Sequence, residues 1–215
     1  MTIRKKIDQG FTLIELLVVI AIIAPLATVS VPFIQTAQVK ARMVRSGSDA
    51  RNVLMALTSY SAENAGIYPE ADDSANSAYS KLFPLHCDQE SMFYVRSDRM
   101  FCDPESAPNE DGKGLAPGEN HWAYVSGLTD GNKSNTPILA DGFTDGIGHY
   151  DQYHPWDKLG RVIVGFMDGS MQTHPLTEGE LTAPSGNGNL FEIPAIKDDD
   201  RVKVLNPERR RRSAD

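Results

Sequence analysis

The sequence predicts an α+β fold in which one long N-terminal helix, its first half membrane-spanning, packs on a small antiparallel sheet. Three observations carry this. From Phe11 to Ile34 the chain holds 24 residues whose only charge is Glu15. Beyond that run Val39, Met43, Val44, Ala50, Val53, Leu54, Leu57 and Tyr60 recur at three- and four-residue steps, the spacing of one helical face. The second half of the chain then breaks into short β-branched and aromatic runs separated by Gly, Pro, Asp and Asn.

The elements follow in order. Residues 1–10 form a short basic head with Arg4, Lys5 and Lys6. Residues 11–34 are the apolar half of the helix. At ~1.5 Å per residue they span roughly 36 Å, enough to cross a bilayer core of about 30 Å with some tilt. The cations before the run place the N-terminus in the cytoplasm and send the rest outward. A cleaved secretory signal is the plainer alternative, but this run is longer than a signal core of roughly 7–15 residues. Residues 35–66 continue the helix with a polar face carrying Lys40, Arg42, Arg45, Asp49 and Arg51, and with a soft spot at Gly47. Pro25 and Pro32 each remove one helical hydrogen bond and are expected to kink the helix. Gly66 is suited to a left-handed C-cap, and Pro69 prevents re-entry.

Residues 67–180 form the exported head. A small acidic loop covers 70–78, and Ser80 to Pro84 reads as one helical turn or a short strand. Met100 to Pro104 reads as a short strand, followed by a surface loop from Glu105 to Glu119. Strands are expected at 121–125, 136–140 and 161–167. Asp168-Gly169 turns the last of these into a hairpin with 170–173. Residues 181–215 hold turn residues, a weak apolar run at 190–196 and the basic tail Arg209 to Arg212, and little order is expected there.

A carboxylate in an apolar run is costly enough to be read as functional, with a partner elsewhere. If the chain were cut between Gly10 and Phe11, the new ammonium of one copy could pair with Glu15 of its neighbour. The run Gly10-Phe11-Thr12-Leu13-Ile14-Glu15 resembles the prepilin leader of type IV pilins and of the pseudopilins of type II secretion systems. The resemblance implies cleavage by a prepilin peptidase between Gly10 and Phe11, N-methylation of Phe11, and docking onto a growing fibre through Glu15. Pro32 matches the kinking proline of that family, whereas Pro25 departs from its pattern. The stretch from Asp49 to Pro69 is similar to major pseudopilins, which favours the secretion branch. The head also resembles pilin-like proteins of planctomycetes and verrucomicrobia. The matching residues are Phe101-Cys102-Asp103-Pro104, Thr136 to Asp141, and His154 ahead of Phe166-Met167-Asp168-Gly169, with a longer spacing after the histidine. The implied partners are other pilins or pseudopilins in a homo-oligomeric filament, the peptidase, an inner-membrane assembly platform and membrane lipid. The implied localisation is the inner membrane, with the head in the periplasm.

Charge excludes one class of partner. The net charge is −8, and losing residues 1–10 with Arg4, Lys5, Lys6 and Asp8 leaves −10. In such a chain only the tail Arg209 to Arg212 is strongly basic, so nucleic acid is not expected as the main partner.

Candidate chemistry is sparse. Cys87 and Cys102 enclose fourteen residues; a disulfide there would contribute on the order of 3 kcal/mol, the alternative being two free thiols. Asp141, Asp145 and Asp151 offer alternating oxygens of the kind calcium takes, and major pseudopilins bind calcium in the head. The run lacks an EF-hand's terminal Glu, so ordinary Asp-Gly turns are the competing reading. His149, Asp151, His154 and Asp157 could be drawn as a metal or acid–base group, but no metalloprotease helix or nucleophile elbow accompanies them. Trp122, Tyr124, Trp156 and Phe166 read as core. The expectation is a non-enzymatic filament subunit without cofactor. A membrane-tethered periplasmic enzyme or binding module that uses the leader only for sorting is the alternative.

Overall fold

The computed structural model describes residues 11–103, 113–144, 146–182 and 188–209. The leader, residues 104–112 with the first half of the 105–119 loop, Asp145, residues 183–187 and most of the basic tail lie outside them. The chain forms two compact units, residues 1–41 and 42–215.

The first unit is the start of helix α1 (Leu13–Glu63). Its apolar side chains stand open, Phe11 at 77%, Leu13 at 82% and Phe33 at 72% of full exposure. The helix is bent by 44° between Leu13–Thr28 and Phe33–Glu63. Pro32 lies in that break, where its missing N–H leaves the Thr28 carbonyl four residues back without its helical donor. The hydroxyls of Thr28 and Ser30 donate to the carbonyls of Ala24 (2.9 Å) and Leu26 (2.8 Å), a back-bonding that also bends helices. Pro25, expected to kink the helix as well, lies inside the unbroken Leu13–Thr28 segment. Among the described residues no single helix is long and apolar enough to cross a membrane, while the bent pair together meets that requirement by length and composition.

The second unit begins with the polar half of α1. Met43, Ser46, Ala50, Val53, Leu54, Leu57 and Ser61 are its buried face. Val44, assigned to the apolar stripe, is 68% exposed instead. The helix runs through Gly47 without a break and ends three residues before Gly66, which takes φ 81°. Any side chain at Gly66 would meet the carboxylate of Asp130, which packs against the turn. Part of the expected loop at 70–78 is helical: α2 (Ala75–Ser80) starts where the Ser74 side chain caps the N–H of Ser77.

Six antiparallel strands follow: β1 (Trp122–Ser126), β2 (Pro137–Asp141), β3 (Arg161–Phe166), β4 (Met171–Thr177), β5 (Glu180–Leu181) and β6 (Lys203–Leu205). Their spatial order is β5-β4-β3-β2-β1-β6. The β3–β4 turn uses Asp168 and Gly169 as expected: Gly169 sits at φ 81°, and Asp168 Oδ1 accepts from the Ser170 N–H at 2.8 Å. β1 and β2 are buried at every position, and β3 is buried from Val162 onward. Continuous apolar runs of this kind have both faces covered. The helix packed on the sheet makes the α+β architecture that the sequence predicts.

Two expectations for the chain's later parts change. Met100 to Pro104 is no strand; among its described residues only Cys102 pairs, through an isolated bridge to Glu119. The described part of 181–215 is ordered. Leu190, Phe191, Ile196, Val202 and Leu205 are buried, a short helix α3 (Pro194–Lys197) forms, and β6 closes the sheet beside β1. Asn206 then mimics a strand, with Oδ1 accepting from the Phe143 N–H and Nδ2 donating to the Phe143 carbonyl, both at 2.8 Å. Ser74 donates to Glu208 (2.9 Å) and the Ala75 N–H to the Asn206 carbonyl (3.0 Å), tying this segment to α2.

Candidate functional site

Two places concentrate polar chemistry. The first is the start of α1. Thr12 and Glu15 stand three apart and close a reciprocal capping box: the Thr12 N–H and hydroxyl donate to Glu15 Oε2 at 2.9 and 2.6 Å, and the Glu15 N–H donates back to Thr12 Oγ1 at 3.3 Å. The carboxylate also lies at the positive end of the helix dipole. Within one copy, Glu15 is therefore satisfied by its own chain rather than left waiting for an amine. Phe11 is described and exposed, and Gly10 lies outside the described residues.

The second place is inside the head. Asp98, His121, Asp141 and His154 form a continuous buried chain, each at most 3% exposed. His121 Nδ1 meets Asp98 Oδ2 at 2.5 Å, and His121 Nε2 meets Asp141 Oδ1 at 2.8 Å. Asp141 Oδ2 accepts from His154 Nε2 at 3.2 Å and from the Ile163 N–H at 2.8 Å, while Trp156 Nε1 approaches Oδ1 at 3.5 Å. The backbone carbonyl of Asp141 takes the Tyr150 hydroxyl at 3.1 Å. Asp98 is satisfied on its far side too, Oδ1 accepting the N–H groups of Met100 and Phe101.

Local register explains the meeting. Trp122 pairs with Asp141 at the end of the β1–β2 ladder, which brings the preceding His121 beside it. The Ala140–Val164 pair then leaves Ile163 opposite Asp141, and the Asp141 side chain takes the N–H that a strand carbonyl would otherwise accept. Pairing of β2 with β3 thus stops at a side chain, and residues 142–160 leave the sheet and return with His154 and Trp156.

The electrostatics follow from burial against partners. Burial alone pushes His121 down, but its hydrogen bonds and charge contacts with Asp141 and Asp98 override this and raise it to about 9. Burial pushes Asp141 up, but the hydrogen bonds and charges of His121 and His154 take its carboxyl well below the usual carboxylate range. His154 needs one N–H for its bond to Asp141, and its buried Nδ1 has no protein partner.

This geometry corrects two expectations. Asp141 is no calcium ligand, since its side-chain oxygens are taken by donors and it is fully buried. Asp145 lies outside the described residues, and Asp151, half-buried, accepts the Tyr153 N–H at 2.9 Å. No group of three or more metal-ligating side chains suited to an ion occurs among the described residues. The disulfide is not formed either: Cys87 and Cys102 are separate buried thiols. Cys87 Sγ lies on the Gln89 carbonyl (3.4 Å) and Met92 Sδ (3.8 Å), and Cys102 Sγ accepts the Val95 N–H at 3.2 Å. Burial, with the charge of Asp98 added, pushes the Cys102 thiol well up, which suppresses its thiolate.

Of the four residues drawn as a constellation, only His154 belongs to the buried chain; His149 and Asp157 are exposed and Asp151 is half-buried. Asp98 and His121 escaped the sequence reading. The one available signal was a histidine placed directly before a mostly apolar strand whose partner strand ends in an aspartate.

Residues 5–30 match the model of a family described as the prokaryotic N-terminal methylation motif. No curated protein and no solved structure matches the chain.

Proposed function

The chain carries at residues 5–30 the prepilin-type signal of type IV pilins and pseudopilins, the mark of a type IV pilin-like substrate of prepilin peptidase, and from that premise we propose that it is a structural subunit of a type II secretion-like or type IV pilus-like filament. Copies wait in the inner membrane with the head in the periplasm, lose residues 1–10, and are drawn through an assembly platform into a fibre with other pilins or pseudopilins. In the fibre the apolar halves of neighbouring helices bury one another in place of lipid.

The observation that carries the reading is the apolar start of α1, exposed on every side and opened by an acid held in a capping box. A helix of this kind is unfinished as a single copy. A carboxylate already satisfied by Thr12 crosses apolar surroundings at less cost than a bare one, and it can exchange that partner for a neighbour's terminus on docking. We read the head as a structural part, a reading supported by the burial of its Asp98, His121, Asp141 and His154 cluster.

The test is assembly in cells. Glu15→Ala is expected to leave cleavage after Gly10 intact and to reduce filament formation. Mass spectrometry of the processed chain should find it beginning at a methylated Phe11. Filaments forming normally without the acid would remove Glu15 from docking, and a processed chain released as a free monomer would remove the structural role.

A further inference from the structure

The buried chain of four side chains has a consequence that concerns the head itself and does not depend on the filament reading. His121 faces a carboxylate oxygen with each ring nitrogen. Both carboxylates are held as acceptors from their other sides: Asp98 by the Met100 and Phe101 N–H groups, Asp141 by the Ile163 N–H, His154 and Trp156. Asp141 accepts donors at both oxygens, so the hydrogen between it and the ring belongs to the ring, and the short Asp98 contact needs a second; together they are one proton more than a neutral ring between two carboxylates holds. A neutral ring would turn a bare lone pair onto a buried carboxylate. His154 differs, because it meets one carboxylate and needs one N–H only.

We propose that the head is a proton-locked fold, closing by taking up one proton at His121 between Asp98 and Asp141 and opening when alkali removes it. Four segments meet at that proton: residues 94–103 through Asp98, the entry to β1 through His121, the end of β2 through Asp141, and the 142–160 connection through His154 and Trp156. The groups facing the ring are few. Asp98, with the Cys102 thiol close to its charge, lies on one side. Asp141 lies on the other, with Tyr150 and His154 reached through it. The Trp122 ring stands edge-on at 4.8 Å. The backbone fixes the ring's position, the His121 N–H donating to the Phe93 carbonyl (2.8 Å) and the His121 carbonyl accepting from Gly142 (2.9 Å). With no Lys or Arg in this chain of contacts, loss of the proton leaves two carboxylates against a neutral ring.

His121 is raised from 6.5 to about 9 in the folded head, so its stabilisation is complete below about 6.5 and is lost as pH rises through about 9. Between those limits the folding equilibrium constant should fall roughly 10-fold per pH unit.

The chain's two tryptophans report on the lock, since Trp122 touches His121 and Trp156 touches Asp141. Urea unfolding of the full-length protein in detergent micelles, followed by tryptophan fluorescence from pH 6 to 10, is the experiment. The expected result is the decade-per-unit slope in the wild type and its loss in His121→Gln. A wild type flat over this range, or a slope unchanged in His121→Gln, would overturn the proposal. Should the variant not fold, nitrogen-15 spectra of the wild-type ring at pH 8 decide. Hydrogens on both nitrogens support the lock, and a neutral ring sinks it.

Discussion

Asp141 concentrates more of the head's polar structure than any other single side chain described above. Replacing it by Asn keeps the size but turns an amide N–H₂ toward one pair of donors, either His121 and Trp156 or His154 and the Ile163 N–H. Removing one partner from a buried charge pair costs about 3–5 kcal/mol. Asp141→Asn should therefore lower stability by that order, read as the shift in urea midpoint at constant slope, whereas Asp151→Asn at its half-buried turn should change it little. The thiols make a second residue-scale prediction. Because both cysteines are buried and unbridged, a thiol reagent should react slowly with the native chain and label two sulfurs after denaturation without reductant. Recovery of no thiol under those conditions would restore the disulfide.

Elements show where the sequence was legible and where it was not. Local pattern located α1, β1, β2 and the β3–β4 hairpin, because each is marked by residues close in sequence: a helical stripe, short apolar and aromatic runs between turn residues, an Asp-Gly turn. The C-terminal segment escaped that reading. Lys203–Leu205 has no strand pattern of its own and becomes a strand because β1 offers an unpaired edge, with Asn206 and Glu208 reaching Phe143, Ser74 and Asn76. The central charged chain was half visible: Asp141 and His154 stood out as residues, but their joining through His121 depends on strand register that no local pattern states. If β6 belongs to the head as described, a chain stopped after Asp200 should lose cooperative unfolding and near-ultraviolet circular dichroism. A truncation that unfolds like the full chain would return residues 201–215 to the status of a tail.

At the scale of the whole molecule, charge and acid set the terms. The folded carboxyl of Asp141 lies below its ordinary 3.8, so its contribution is present above about 3.8 and fades only as pH falls through the lower folded value. Acid unfolding of the full chain should accordingly begin below the usual carboxylate range, and circular dichroism from pH 5 to 2 measures where. The predicted mature chain carries −10, and like-charged heads brought side by side repel. If the chain assembles as proposed, filament yield should rise from low to about 0.15 M salt as this repulsion is screened over a Debye length of about 8 Å. A yield falling with salt would indicate that heads attract one another through opposite charges instead.

The late arrival of β6 also has a temporal cost. Tyr124 leaves the ribosome 81 residues ahead of its neighbour Leu205, the distance between their sequence numbers. At roughly 5–20 residues per second this is on the order of 4–16 s during which one border of β1 has no β6 to pair with. An apolar strand with an open border is a template for the wrong neighbour. A nascent chain of this design has to be kept apart from its sisters until its last turns emerge.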